Sequence, residues 1–211
     1  MSEALLSPLD LAAYLCSRVC HDVISPVGAI TNGLEVLEED AEMRGFAMDL
    51  IRKSAAQASA KLQFARLAFG AAGSAGAEID LADAEAVARG LLADSKVELA
   101  WEGPGAVMAK DKVKLLLNLL LTAQQAIPRG GSILVTISGE HSAPSFSLRA
   151  SGEGARVPAD AAAIFTGGEV RPIDAHSIQP YYAALIARDA GMNVSLALDG
   201  ETVVIEAQPT A

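Results

Sequence analysis

Residues 8–39 read PLDLAAYLCSRVCHDVISPVGAITNGLEVLEE, and this stretch decides the fold. Apolar or thiol side chains recur in it in alternating steps of four and three residues, at Leu9, Ala13, Cys16, Cys20, Val23, Val27, Ile30, Leu34 and Leu37. A repeat sustained over about four heptads is typical of a helix that forms the seam of a bundle. Ser7 is a suitable N-cap and Pro8 a suitable first helical residue. The stretch predicts one helix about 48 Å long, which needs a long partner.

A second helical pattern follows the short acidic segment Glu38–Asp40 and runs from about residue 42 to residue 69. Its apolar face consists of Ala47, Ile51, Ala55, Ala58, Leu62, Ala65 and Phe69. Because the connection is short, the two helices are expected to form an antiparallel hairpin. One hairpin buries little apolar surface, so we expect a homodimer in which two hairpins form a four-helix bundle.

The rest of the chain mixes helical and strand patterns. Residues 71–77, AAGSAGA, are small and predict a linker between residues 1–70 and 78–211. Helical patterns cover residues 82–92, 111–127 and 180–190. Strand patterns cover residues 97–101, 133–138, 145–150, 194–198 and 202–207, with an irregular region expected up to residue 179. The predicted fold class is α+β, a helical hairpin followed by an α/β sandwich.

Composition excludes several classes of function. The formal net charge of −10 argues against nucleic acid or an anionic membrane as the main partner. Although 51% of the residues are hydrophobic, no uncharged apolar run approaches the roughly 18 to 20 residues that a membrane span needs. The N-terminal residues carry no basic segment of a secretory signal, and the two cysteines are expected to be reduced. We therefore expect a cytoplasmic protein.

The first helix carries a histidine, His21, on the flank of the predicted seam. Its neighbours one and two turns away are Ser17, Ser25 and Gly28, all of them small, so the imidazole is expected to be open to a partner. An exposed imidazole suits phosphoryl transfer, because the reacting group of another protein must approach it in line. The simpler alternative is a solvated histidine without a function.

Asp22 and Pro26 follow His21 directly and after one turn of helix. Asp22 is expected to hydrogen-bond one ring N–H of His21, which leaves the other ring nitrogen as the nucleophile. Pro26 has no N–H for the carbonyl of Asp22, so the helix is expected to kink or loosen there.

Metal binding is a second reading of the same region, through Cys16, Cys20 and His21. It supplies only three ligands, whereas a structural zinc site takes four. The two cysteines occupy seam positions, so we expect them to be small buried hydrophobes and expect no metal. His141 and His176 receive no role.

His21–Val27 resembles the H-box of bacterial histidine kinases, H-[ED]-x-x-[TSN]-P-[LV]. Residues 112–123, KVKLLLNLLLTA, resemble the kinase N-box helix, and residues 151–154, SGEG, resemble the glycine-bearing G1 loop. The resemblance covers nearly the whole chain in the right order. It implies that residues 78–211 have the ATP-binding (Bergerat) fold of these kinases.

The departures from the kinase pattern concern nucleotide binding. Thr122 stands where an asparagine would help to hold Mg²⁺, and Ala150 stands where an aspartate would read adenine. The glycine-rich G2 loop is replaced by residues 176–180, HSIQP, which include Ser177 and Gln179. Backbone N–H groups reach phosphates most easily where side chains are absent. The resemblance therefore implies a domain that binds no ATP and needs no cofactor.

This combination is similar to the ChpT family of dimeric histidine phosphotransferases. The resemblance implies that His21 takes a phosphoryl group from the receiver aspartate of a CckA-type hybrid kinase. It implies onward transfer to CtrA- and CpdR-type response regulators in a cell-cycle phosphorelay, with Mg²⁺ supplied by the receiver. Asp22, Ser25 and Pro26 would shape the site. The alternatives are an ATP-dependent histidine autokinase and a non-catalytic dimeric scaffold that binds receivers.

Receiver contacts are expected around His21 and on the basic second helix. The candidate partner-binding residues are Ser17, Arg18, Gly28, Arg52 and Lys53, with Lys61 as a further basic candidate. Positive side chains there would raise the rate of encounter with an acidic receiver surface.

Overall fold

The computed structural model describes residues 6–39, 42–70, 77–167, 173–174 and 177–210. The predicted linker, apart from Ala77, lies outside the described residues, as do Asp40 and His176. The two predicted helices are present as α1 (Pro8–Glu39) and α2 (Arg44–Ala68), and α1 continues through Pro26. Ser7 caps α1, since its Oγ accepts a hydrogen bond of 3.1 Å from the backbone N–H of Asp10.

The hairpin closes on a line of small residues in α1. Pro26 and Gly33 are the buried residues of this helix. A Cβ atom on Gly33 would lie 2.7 Å from Cγ1 of Ile51 in α2, so only glycine allows this approach of the two helices. Val27 and Leu34 each come one residue later, which rotates them by about 100° around the helix axis. Both are about half exposed, at 47% and 49%.

The predicted heptad seam is therefore not the contact between the two helices of one chain. Val23, Ile30 and Leu37 of the seam are partly buried, whereas its other residues form a stripe that α2 leaves uncovered. The exposed residues of this stripe are Leu9, Ala13, Cys16, Cys20, Val27 and Leu34. The prediction that these cysteines are buried is wrong for the single chain, because both lie on the uncovered stripe.

Substitution of Gly33 and Gly28 by leucine compares a packed and an open position of the same helix. Gly33→Leu is expected to lower the free energy of unfolding by about 1–2 kcal/mol, because its side chain must displace Ile51. Gly28→Leu is expected to be neutral or to stabilise by up to about 1 kcal/mol, because no atom lies within 4 Å of a Cβ there. Urea unfolding followed by circular dichroism measures both. Equal effects would contradict the assignment of Gly33 to the helix contact.

Residues 77–210 form the second part of the fold. In chain order its elements are β1 (Glu78–Asp80), α3 (Leu81–Leu92), β2 (Val97–Glu102), β3 (Val107–Ala109), α4 (Lys110–Ala126), β4 (Gly131–Glu140), β5 (Ala143–Ser151), α5 (Ala159–Thr166), α6 (Ile178–Asp189), β6 (Met192–Asp199) and β7 (Thr202–Pro209). All the predicted helices and strands are present, with small shifts at their ends.

The main sheet has five strands in the order β2-β4-β5-β7-β6. Among the strands that the structure describes, only the β2–β4 pair is parallel, and β1 and β3 form a separate antiparallel pair. Strand β2 alternates between partly buried residues such as Trp101 and exposed ones such as Glu102, so one face of the sheet is turned to the helices. Helix α4 is buried continuously from Leu115 to Ala123 and is the centre of the core. The predicted α/β sandwich is confirmed.

Three short elements differ from the sequence prediction. Strands β1 and β3 have three residues each, too few to show a readable alternation. Helix α5 lies in the region expected to be irregular; its eight residues, ADAAAIFT, show no polar face that would mark an amphipathic helix. It ends at Gly167, whose positive φ of 68° closes the last turn. Among the described helices, none is both long and apolar enough to cross a membrane.

Candidate functional site

His21 stands on the outer side of α1, where 77% of its side chain is exposed. Ser17, Ser25 and Gly28 are all exposed around it, so the expected open surface is present. Ile24 is also exposed, by 70%, and lies one helical turn after His21. The sequence reasoning did not single out Ile24, although the step of three residues from His21 is visible in the sequence.

Asp22 lies beside the histidine and is held by a second residue of α1. Its Oδ1 is 3.5 Å from Nδ1 of His21, which is longer than a hydrogen bond. Its Oδ2 accepts a hydrogen bond of 2.9 Å from Nε of Arg18. The Arg18 side chain is only 19% exposed, so it serves Asp22 more directly than it serves a partner.

The carbonyl of Asp22 receives a donor from the other helix of the hairpin. Nζ of Lys61 in α2 donates a hydrogen bond of 2.9 Å to this oxygen. Lys61 is half-buried and turned towards α1, whereas the sequence reasoning assigned it to partner contact. The sequence signal for this contact was Pro26. It lies four residues after Asp22 and leaves the Asp22 carbonyl without its helical donor.

A cleft of about 300 Å³ opens between the hairpin and the second part of the fold. Arg18, Asp22 and Lys61 form part of its hairpin wall. Asp94 and Ser95, from the segment between α3 and β2, form part of the opposite wall. The second part of the fold therefore faces the helix turn that carries His21.

Arg52 and Lys53 are exposed on α2. They follow Ile51, which packs on Gly33, and come before Lys61, which binds Asp22. This order places them along the hairpin between the glycine contact and the level of the histidine. Nη1 of Arg52 lies 3.8 Å from Oδ1 of Asp49, so this ion pair holds the guanidinium loosely.

The four positions that depart from the kinase pattern are all buried. Ala150 in β5 and Thr122 in α4 have no exposed surface, and Oγ1 of Thr122 donates to the carbonyl of Asn118 at 3.3 Å. Ser177, just before α6, is closed into a turn, since its N–H and hydroxyl both donate to Asp174. Gln179 is fully buried, and its Nε2 donates to the carbonyl of Asn118 at 2.7 Å.

Asn118 joins the hairpin to the second part of the fold. Its Nδ2 donates to the carbonyl of Ala68 in the last turn of α2 at 3.0 Å and to the carbonyl of Lys114 at 2.9 Å. Through Gln179 the same residue is bonded to α6. A single amide within a run of leucines was the sequence signal for this buried junction, which the sequence reasoning missed.

Two ionisable side chains, Lys114 and Tyr182, lie next to this junction and are partly buried. Nζ of Lys114 lies 3.5 Å from the hydroxyl of Tyr182. Burial, and then the nearby Lys110, lower the pKa of Lys114, and burial raises the pKa of Tyr182. Both shifts favour the neutral form of the group.

Within the described part of the chain, no three histidine, cysteine or acidic side chains converge as metal ligands do. Cys16 and Cys20 lie on the uncovered stripe of α1, about a third of a turn from His21.

Residues 81–202 match the sequence model of a family described as histidine phosphotransferase C-terminal domain. The protein phosphotransferase ChpT of Brucella abortus (strain 2308) is 52% identical over 204 residues, which cover 96% of this chain and 97% of that protein. The chain belongs to the ChpT histidine phosphotransferase family. A solved structure described as a bacterial phosphotransferase agrees with this, at 50% identity and a TM-score of 0.91 over 97% of this chain and 98% of that chain.

The fold is also similar to that of a histidine kinase domain. The catalytic domain of the histidine kinase ThkA matches with a TM-score of 0.50 and 16% identity, over 64% of this chain and 95% of that chain. At this identity the likeness shows the fold alone. It confirms the prediction that the α/β sandwich has a fold resembling the ATP-binding domain of histidine kinases.

Proposed function

We propose that this protein is a phosphorelay intermediate in which His21 carries the phosphoryl group. The observation that carries the proposal is that 77% of the His21 side chain is exposed while the next residue, Asp22, is held in place. Arg18 binds the Asp22 carboxylate, and Lys61 binds the Asp22 carbonyl. Membership of a histidine phosphotransferase family supports it, as does the 52% identical relative that is named a protein phosphotransferase.

The geometry of Asp22 supports one direction of attack. Nδ1 of His21 faces the carboxylate, so in the proposed mechanism Nδ1 keeps its proton and Nε2 is the nucleophile. The lone pair of Nε2 forms the N–P bond while the P–O bond of the donor's aspartyl phosphate breaks and the free carboxylate leaves. The negative charge of the Asp22 carboxylate, 3.5 Å from Nδ1, stabilises the positive charge that develops on the ring. Ser25 and Pro26 shape the helix turn that carries His21.

The proposed donor is the receiver domain of a CckA-type hybrid kinase, and the proposed acceptors are CtrA- and CpdR-type response regulators of a cell-cycle phosphorelay. Mg²⁺ comes from the acidic pocket of the receiver, and the relay takes place in the cytoplasm. The open surface formed by Ser17, Ile24 and Gly28 supports close approach of a receiver. The exposed Arg52 and Lys53 support electrostatic attraction of an acidic partner.

The protein is proposed to act as a homodimer whose hairpins form a four-helix bundle. The support is an uncovered apolar surface on the hairpin, with exposed fractions of 83% at Leu9, 47% at Val27 and 49% at Leu34. Phe46 and Leu62 add exposed apolar area on α2. Apolar surface of this extent on a soluble helical hairpin is normally covered by a partner.

The proposed relay does not use ATP. Burial of Thr122, Ala150 and Gln179 supports this part of the proposal, because these positions fill the core instead of lining an open site. Gln179 occupies the space next to α4 with a side chain that hydrogen-bonds the backbone of that helix.

Two labelling reactions test the proposal. Incubation with a labelled, phosphorylated receiver domain and Mg²⁺ is expected to transfer label to the protein within the lifetime of the aspartyl phosphate. Incubation with labelled ATP and Mg²⁺ alone is expected to transfer none. Label acquired from ATP would support the autokinase alternative instead, and absence of label in both reactions would support the scaffold alternative.

A further inference from the structure

Pro26 interrupts the backbone hydrogen bonding of α1 at the carbonyl of Asp22, the residue that follows His21. In an α-helix each carbonyl accepts from the N–H four residues later, so the Asp22 carbonyl requires a donor at residue 26. Proline has none. Nζ of Lys61 lies 2.9 Å from this oxygen and occupies the place of the missing donor. The donor comes from 39 residues away in the sequence and from the opposite helix of the hairpin.

The contact fixes the residue next to His21 at a second point. The carboxylate of Asp22 is already held by Arg18, and Lys61 holds its backbone. The imidazole itself is 77% exposed and has little packing of its own, so its direction depends on the backbone that carries it. Misplacement of a reacting group by about 1 Å can cost about a hundredfold in rate.

We propose that Lys61 is a positioning residue for phosphotransfer, because its ammonium group holds the Asp22 carbonyl that Pro26 leaves without a donor. This inference rests on the proposed function of His21. Lys61 touches neither the phosphoryl group nor the imidazole in this role. It keeps the turn of α1 that carries His21 in place against α2.

A double-mutant cycle of Lys61→Met and Pro26→Ala tests the inference. Alanine at position 26 restores the N–H that the Asp22 carbonyl lacks, so the lysine becomes redundant. In the native background, Lys61→Met is expected to lower the maximal rate of phosphotransfer from a saturating phosphorylated receiver about tenfold. The receiver concentration that gives half the maximal rate is expected to stay within about twofold, since positioning does not change docking. In the Pro26→Ala background, the same change is expected to lower the rate less than about twofold.

Lys96→Met is the matched control, since Lys96 is an exposed lysine of the second part of the fold. All rates are expressed per folded protein, with the folded fraction taken from urea unfolding. If Lys61→Met does not fold alone, the inference requires that the Pro26→Ala change restores its folding. Wild-type rates for Lys61→Met, or an equal loss in both backgrounds, would overturn the inference. Failure of the wild-type protein to accept label would instead overturn the proposed function.

Discussion

Substitution of His21 by alanine is expected to abolish phosphoryl transfer completely. The reaction needs a nucleophilic nitrogen that a receiver can reach, and His21 presents one with 77% of its side chain exposed. His141 is exposed too, but it lies at the turn between β4 and β5 with Nε2 3.1 Å from Glu78. The measurement is the amount of label retained on the protein after incubation with a phosphorylated receiver.

His141→Ala is the control, and it is expected to take up label as the wild type does. The same comparison separates phosphotransfer from the scaffold alternative, because a scaffold binds receivers equally well with or without the imidazole. Binding of the receiver to His21→Ala is therefore expected to persist while the label disappears. Full labelling of His21→Ala would contradict the assignment of the site.

Substitution of Asn118 by leucine is expected to lower the free energy of unfolding by about 2–3 kcal/mol. The side chain is fully buried and donates to the carbonyl of Ala68, which lies in the last turn of α2 where helical N–H partners run out. Leucine leaves that carbonyl buried without this donor. The Lys114 carbonyl loses less, because it keeps the N–H of residue 118 within α4.

Urea unfolding measures this loss, with Asn193→Leu as the matched control. Asn193 is exposed on the edge strand β6, and its substitution is expected to change stability by less than about 0.5 kcal/mol. A loss of similar size in both variants would show that Asn118 does not anchor α2. Because the anchor joins the hairpin to α4 and α6, the Asn118 variant is also expected to unfold at a lower urea concentration than the control.

The long helices were readable from the sequence because their apolar periods extend over many turns. Ser7 and Pro8 marked the start of α1, and the leucine-rich run marked α4. The H-box pattern around His21 identified the candidate site. Strands β1 and β3, with three residues each, carry too little pattern to be seen without their pairing partners.

The two faces of α1 were not separable from the sequence. Pro26 and Gly33 are buried, whereas Val27 and Leu34, each one residue later, are about half exposed. The heptad pattern contains Val27 and Leu34 but not Pro26 or Gly33. This is why Cys16 and Cys20 were expected to be buried and are exposed. In the proposed dimer, the two cysteines would lie at the interface between the two hairpins. Cross-linking through Cys16 would detect this arrangement.

The contacts that hold the site came from residues distant in sequence. Lys61 reaches Asp22 only because the hairpin sets the two helices in register. Asn118 reaches the end of α2 only because α4 packs beneath it. Helical periodicity predicts which residues share a face of one helix, but it does not predict the alignment of two helices.

The most direct test of the relay is a chase of labelled protein into a second receiver. The wild-type protein is labelled from one phosphorylated receiver, separated from it and mixed with an unphosphorylated receiver and Mg²⁺. We expect the isolated label to be acid-labile and base-stable, as phosphohistidine is, and to move to the second receiver while the His21→Ala control carries none. Label that is stable to acid, or that stays on the protein in the presence of every receiver tested, would contradict the account.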